Sequence, residues 1–222
     1  CQMLLKKKWI VAGFSRSKSI EIKELQKKYK NNFYFDTFNV TNLKKISSFV
    51  EKVSKKGKVY GLINNAGIVN EDLLVNQNKR DIKELIDINL LGPILLSSEV
   101  IKYLIINGEG RIINISSIVA KSGYKGTAVY SSTKSALEGM TRALSRELGK
   151  RNITVNAVSP GYMKTNLTKN MAKHKLEQII RRTPASRAGK VSDIIGLINF
   201  LLKKEASFIS GQTILVDGGL SS

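Results

Sequence analysis

Arg111-Ile112-Ile113-Asn114-Ile115-Ser116-Ser117 is the stretch that decides the fold. An apolar run of strand length that ends in two hydroxyls reads as a buried strand delivering polar groups to the edge of a sheet. Comparable runs occur at 9–13, 32–38, 60–64, 153–159 and 213–216. Helical patterns lie between them at 20–30, 43–55, 80–107, 130–150 and 192–202. Strands alternating with helices predict a three-layer, Rossmann-like, doubly wound parallel sheet covered on both faces. No repeat, low-complexity tract or linker interrupts the pattern, so residues 1–222 form one α/β domain.

Such a fold begins with a strand and a glycine-rich turn that holds a pyrophosphate. No Gly-x-x-x-Gly-x-Gly element occurs in the chain, and residues 1–8 read as the end of a helix leading into the strand at 9–13. The expectation is that the first strand and its turn lie upstream of Cys1, where any transit peptide would also stand; a protein that never had them is the alternative.

Composition removes several classes of chemistry. The chain holds one cysteine, Cys1, and one histidine, His174. That excludes an internal disulfide and argues against a structural zinc site or a Ser-His-Asp triad. Acid/base work therefore falls to Tyr, Lys, Asp or Glu. The longest apolar runs, such as 194–202, fall well short of the ~20 residues that span a bilayer, and no membrane segment is expected. The net charge of +20 has two readings. It can favour anionic partners, or it can be lysines solvated on helix faces. Lys6-Lys7-Lys8 is short and no nucleic-acid module is recognisable, so no specific nucleic acid is expected.

Tyr130 and Lys134 stand at i and i+4 of a predicted helix, one turn apart on one face. An ammonium beside a phenol favours the phenolate, and such a tyrosine can exchange a proton with a carbonyl oxygen while hydride moves at carbon. The pair alone is common by chance. Three strand ends give it meaning: Ser116-Ser117, then Leu62-Ile63-Asn64-Asn65-Ala66-Gly67, then Asn156-Ala157-Val158-Ser159-Pro160-Gly161. All fall at carboxyl edges of parallel strands, where these folds bind ligands.

Together with Asn89, Ser210-Gly211-Gln212 and Val216-Asp217-Gly218-Gly219, these elements make residues 61–219 resemble the short-chain dehydrogenase/reductase family. The resemblance is closest to the 3-oxoacyl-(acyl-carrier-protein) reductases and their animal relative, carbonyl reductase family member 4. It implies Tyr130 as general acid/base, with Lys134 lowering its pKa and holding the nicotinamide ribose. It also implies Ser117, rather than Ser116, as the group on the substrate carbonyl. Asn89 would hold a water that links Lys134 to solvent; a helix amide satisfied by a neighbour is the alternative.

For the cofactor, the resemblance assigns Asn65, Ala66 and Gly67 to the adenine ribose, Asn39 and Val40 to the adenine, and Pro160, Gly161, Met163 and Thr165 to the carboxamide and phosphates. Asn39 departs from the family's Asp, and Thr165 could equally be a helix N-cap. Ser15 and Arg16 at the end of the first predicted strand suit a 2′-phosphate, so NADPH is favoured over NAD; a solvated arginine is the alternative. The implied activity is reduction of a 3-oxoacyl thioester on acyl carrier protein, with Arg151 touching that acidic carrier. Quinones, steroids, sugar alcohols or other small carbonyls and alcohols are alternatives, as is a non-catalytic subunit of a mixed tetramer. Specificity would lie in 164–183. A homo- or hetero-tetramer would pair 80–107 and 130–150 at one interface and use 211–222 at another. Cytoplasm or the mitochondrial matrix is the implied location.

Overall fold

A computed structural model describes residues 1–165, 168 and 173–221. Two parallel sheets carry the molecule. In one, β1 (Val11–Ser15) pairs with β2 (Phe33–Thr37). In the other, β3 (Gly61–Asn64), β4 (Gly110–Ile115), β5 (Ile153–Pro160) and β6 (Thr213–Val216) lie side by side in chain order. The predicted α/β class and parallel sense hold. Among the described residues, however, β1 and β3 do not pair, so the strands form two sheets rather than one.

The two sheets share a core. On one face Phe38, Ile46, Val50, Leu62, Leu96, Leu104, Ile112 and Val155 form a single buried cluster. It joins α3 (Leu43–Ser54) and α5 (Gly92–Asn107) to both sheets. On the other face Leu4 of α1 (Gln2–Lys6) touches the cluster around Ile113, Val158 and Leu201 as well as the cluster around Leu5, Val11 and Phe33. At the amino ends of the strands, the rings of Trp9 and Tyr60 pack 5.4 Å apart.

The first strand begins two residues later than the sequence predicts. Lys8 turns the chain with a φ of 63°, and Trp9 is used as a wedge rather than as strand. α2 (Ile20–Lys28) and α9 (Val191–Leu201) agree with expectation to within two residues at each end. The predicted helix 80–107 is instead α4 (Lys79–Ile86), a π-helical turn Asp87–Leu91 and α5. The whole run 79–107 is long and apolar enough to cross a membrane, but Leu85, Ile88, Leu96, Val100 and Leu104 spend its apolar face in the core. α6 (Val119–Ser122) and the 21-residue α7 (Ala128–Leu148) follow β4. α8 (Lys173–Arg182), which sequence reading left without an element, follows β5.

Candidate active site

The carboxyl edge of β4 delivers Ser116 and Ser117 in opposite directions, as strand alternation requires. Ser116 is buried; its hydroxyl donates to Glu138 Oε1 at 2.7 Å on α7 and is consumed there. Ser117 keeps its hydroxyl within hydrogen-bonding reach of the Tyr130 phenol and accepts only a long bond, 3.4 Å, from the Val119 N–H. Position therefore separates two chemically identical side chains.

One turn after Tyr130, Lys134 is 4 % exposed. Its ammonium donates to the Ile115 carbonyl at 2.8 Å and lies 5.7 Å from the centre of the Tyr130 ring. Burial pushes the Lys134 pKa down to about 8. Burial likewise raises the Tyr130 phenol above its ordinary value; the Ser117 hydrogen bond opposes the rise and the Glu71 carboxylate adds to it. This corrects the sequence expectation, in which Lys134 lowers the tyrosine. Desolvation of the phenolate is the largest effect, and the ammonium, which donates to the Ile115 carbonyl, does not offset it.

Gly67, at the end of the turn after β3, faces the same centre. A Cβ built there would lie 3.4 Å from Asn89 Oδ1 and 3.5 Å from Lys134 Nζ, so the bare glycine leaves the ammonium open to approach. Asn89 is fully buried in the π-helical turn. Its amide accepts from the Ile68 N–H at 2.8 Å and donates to the Ile68 carbonyl at 2.9 Å. The side chain is thus a clamp on the 65–68 turn, the alternative reading of this residue.

A family model described as Enoyl-(Acyl carrier protein) reductase matches residues 6–221, which include all of this geometry. The chain belongs to the short-chain dehydrogenase/reductase family. It is 38% identical over 211 residues to the 3-oxoacyl-(acyl-carrier-protein) reductase FabG of Rickettsia bellii, covering 95% of this chain and 85% of that one. It is 39% identical over 183 residues to the Thermotoga maritima protein of the same name, covering 82% and 74%. A gluconate 5-dehydrogenase from Burkholderia cenocepacia, crystallised with NADP and tartrate, superposes with a TM-score of 0.90 at 27% identity, covering 96% of this chain and 85% of that one.

The cofactor-side positions are less finished than the hydroxyl centre. Arg16, just past β1, pairs with Glu84 at 3.1 Å with both side chains about half exposed. Ser15 donates its hydroxyl to the Ser17 carbonyl. Asn39 is exposed, and its amide oxygen accepts from the backbone and hydroxyl of Thr41, each at 3.1 Å, which takes that oxygen away from the adenine role. Val40 is buried against Gly92, where a Cβ would come within 2.6 Å of Val40 Cγ1. Asn65 and Ala66 are exposed on the turn that Asn89 clamps, at the mouth of the centre.

Past β5, the Pro160 carbonyl accepts from the Ile118 N–H at 3.0 Å. Gly161 packs so closely on Asp217 that a Cβ added to it would stand 2.6 Å from the Asp217 Cα. Met163 is buried beside Gly189 rather than open to the cleft. Thr165 gives its N–H to the Thr168 hydroxyl at 3.0 Å. The segment that Thr165 was expected to cap lies mostly outside the described residues. Arg151 follows α7 on an exposed 3-10 turn just before the amino end of β5, away from the carboxyl strand ends.

Sequence reading missed two features. Asn64 and Asn114 are register partners on β3 and β4, joined at 2.8 Å; Asn64 also reaches Ser97 at 3.0 Å and Asn114 reaches Thr141 at 2.8 Å. An asparagine just short of the carboxyl end in each of two apolar runs was the available signal. Glu71 carried no signal. It meets Lys175 of α8 at 2.8 Å, and its neighbour Asp72 donates its N–H to the Gly126 carbonyl at 3.0 Å. This rim stands close enough to Tyr130 for its carboxylate to be felt there.

Proposed function

We propose that this chain is an NADPH-dependent carbonyl reductase acting on a 3-oxoacyl thioester of acyl carrier protein. The observation that carries the reading is the Tyr130 phenol beside the buried Lys134 ammonium, 5.7 Å from its ring centre, with Ser117 holding the phenol's pKa down against burial. Bound NADPH supplies the hydride that reaches the carbonyl carbon. Tyr130 gives its proton to the carbonyl oxygen, completing the alcohol, and Ser117 donates a hydrogen bond to the same oxygen as charge gathers on it.

A phenol held protonated by burial suits this reductive direction, because the acid must still own its proton when substrate arrives. Lys134, with a pKa of about 8, can steady the resulting phenolate and hand on a proton near neutral pH. Asn89 is the residue assigned to the water that resupplies that ammonium. Arg16, Ser15 and the 65–67 turn are the residues assigned to the dinucleotide; Glu84 offers only an exposed ion pair, worth about 0–1 kcal/mol, which a 2′-phosphate can outbid. The two FabG relatives support the thioester substrate. A second reading, oxidation of a sugar acid, is favoured by the gluconate dehydrogenase match at lower identity. Exposed Ile86, Leu91 and Ile94 along 79–107 support pairing with another copy in a tetramer.

Loss of NADPH absorbance with an acetoacetyl thioester tests the reading. Tyr130→Phe is expected to lower kcat roughly a thousandfold while NADPH still binds. A variant within about threefold of the parent would refute Tyr130 as the acid.

A further inference from the structure

Two hollows lie apart from the Tyr130 centre, along the β1–β2 sheet. One, of about 590 Å³, runs along the outer side of β2 between α2 and α3; Lys30, Lys52, Lys55 and Lys56 surround it, over Phe35 and Phe49. The next, of about 570 Å³, shares Lys30 and adds Lys6, Lys8, Lys27 and Lys28. Among the described residues, Lys55 is the only one of these eight with a carboxylate partner, Glu51 at 2.7 Å. Asp36 is the single acid in the lining, and it accepts from the Thr37 N–H at 2.7 Å.

Local roles account for part of this charge. Lys27, Lys28 and Lys52 stand in the last turns of their helices, where cations offset the helix dipole. Lysines also guard edge strands against pairing with a second copy. Lys8, Lys30 and Lys56 lie outside any helix and are left over.

Among the described residues, β2 is an outer strand bonded only to β1. The Val11 N–H reaches the Asn32 carbonyl and the Phe38 N–H reaches the Ser15 carbonyl, so the even residues of β2 point at β1 and 33, 35 and 37 point outward. The Phe33 N–H is taken by the Tyr29 carbonyl and the Thr37 N–H by Asp36. Among the described residues, what remains is a short row: the Phe35 N–H and the carbonyls of Phe33, Phe35 and Thr37.

We propose that this edge takes an extended acidic segment of a partner protein, added as a strand beside β2, with its carboxylates among Lys30, Lys52 and Lys56. Backbone bonds at Phe35 would fix its register and the lysines would select its charge. A second copy of this chain is a poor occupant, since the same lysines would face each other. Single-stranded nucleic acid fits less well. The rings of Tyr29 and Tyr34, which bases would need as stacking faces, carry the ammonium groups of Lys28 and Lys56 at 5.8 and 5.6 Å. An anionic bilayer fits least, because Phe33, Phe35 and Phe49 floor the hollow instead of protruding from it.

The test is fluorescence anisotropy with a labelled peptide of alternating Glu and Val residues. Saturable binding is expected, weakened at least about tenfold by the triple change Lys30→Glu, Lys52→Glu, Lys56→Glu, and by high salt. A fully N-methylated peptide of the same sequence, offered to the unaltered protein, should also lose roughly tenfold, because it has no N–H to give the outward carbonyls. Equal binding of the methylated peptide overturns strand addition. Equal binding by a triple variant with an unchanged melt overturns the lysine assignment. Absence of saturation, or stronger competition by an oligonucleotide or phosphatidylserine vesicles of equal charge, overturns the partner class. None of these outcomes depends on the reductase reading.

Discussion

The carboxyl ends of β4 and of β1 are built in different ways. At β4, Ser117, Tyr130, Lys134 and Asn89 are positioned by groups of the same chain, in or against the core: the Ile115 carbonyl, the Ile68 backbone and the Ser116–Glu138 bond. At β1, Arg16 is exposed and borrows Glu84, while nearby Asn39 turns on its own loop. On the proposed function, the centre that would hold reacting atoms is fixed before anything binds, and the one that would recognise a charged ligand keeps its arginine in water, on a partner it can release.

Separating the two serines breaks this comparison most sharply. Ser117→Ala should cost roughly a hundredfold in kcat, the scale of one lost oxyanion donor, and leave the melting temperature nearly unchanged. Ser116→Ala should do the reverse, freeing the Glu138 contact and destabilising the α7 junction by about 1–3 kcal/mol. A large kcat loss in Ser116→Ala with normal stability would show that the geometry has been read backwards.

Lys134 tests the cost of rigidity. Its pKa falls from 10.5 to about 8 on folding, so between those values the unfolded chain binds more protons and stability rises with pH. Below pH 8 the buried ammonium is a penalty of up to about 3 kcal/mol. Relative to Lys134→Met, the parent should therefore gain stability from pH 8 to 10.5, read as diverging melting temperatures. Parallel curves would mean the ammonium is better solvated than its surroundings allow.

Asn89→Ala leaves the Ile68 N–H and carbonyl without partners, at a cost of about 2 kcal/mol. Hydrogen exchange at residues 67–69 should quicken before the rest of the core; protection unchanged there would count against the clamp. The smallest effect belongs to the exposed end. Arg16→Ala should weaken NADPH about tenfold, leave NADH alone, and not move the melt, since an exposed ion pair contributes about 0–1 kcal/mol. Equal loss for both dinucleotides would remove Arg16 from the 2′-phosphate.

Legibility followed the same division. Tyr130 and Lys134 could be read as a pair because helical periodicity sets both on one face, whereas only the family resemblance separated Ser117 from Ser116. The clamp at Asn89 could not be read, since it depends on a π-helical turn whose extra residue rotates the side chain toward Ile68. Nor could the raised phenol, since spacing reports a neighbouring charge but not the water removed around it. Glu71 and Lys175 meet across 104 positions, and α8 had no legible pattern to place it.

The order of residues determined the alternation of strand and helix, the parallel sense and the tyrosine–lysine face, because those depend on periods of two and 3.6 residues that local chemistry imposes. Tertiary packing alone decided which serine stays free, which way two pKa values move and where the lysines gather. Each of those is set by what solvent is excluded and by which distant groups take its place.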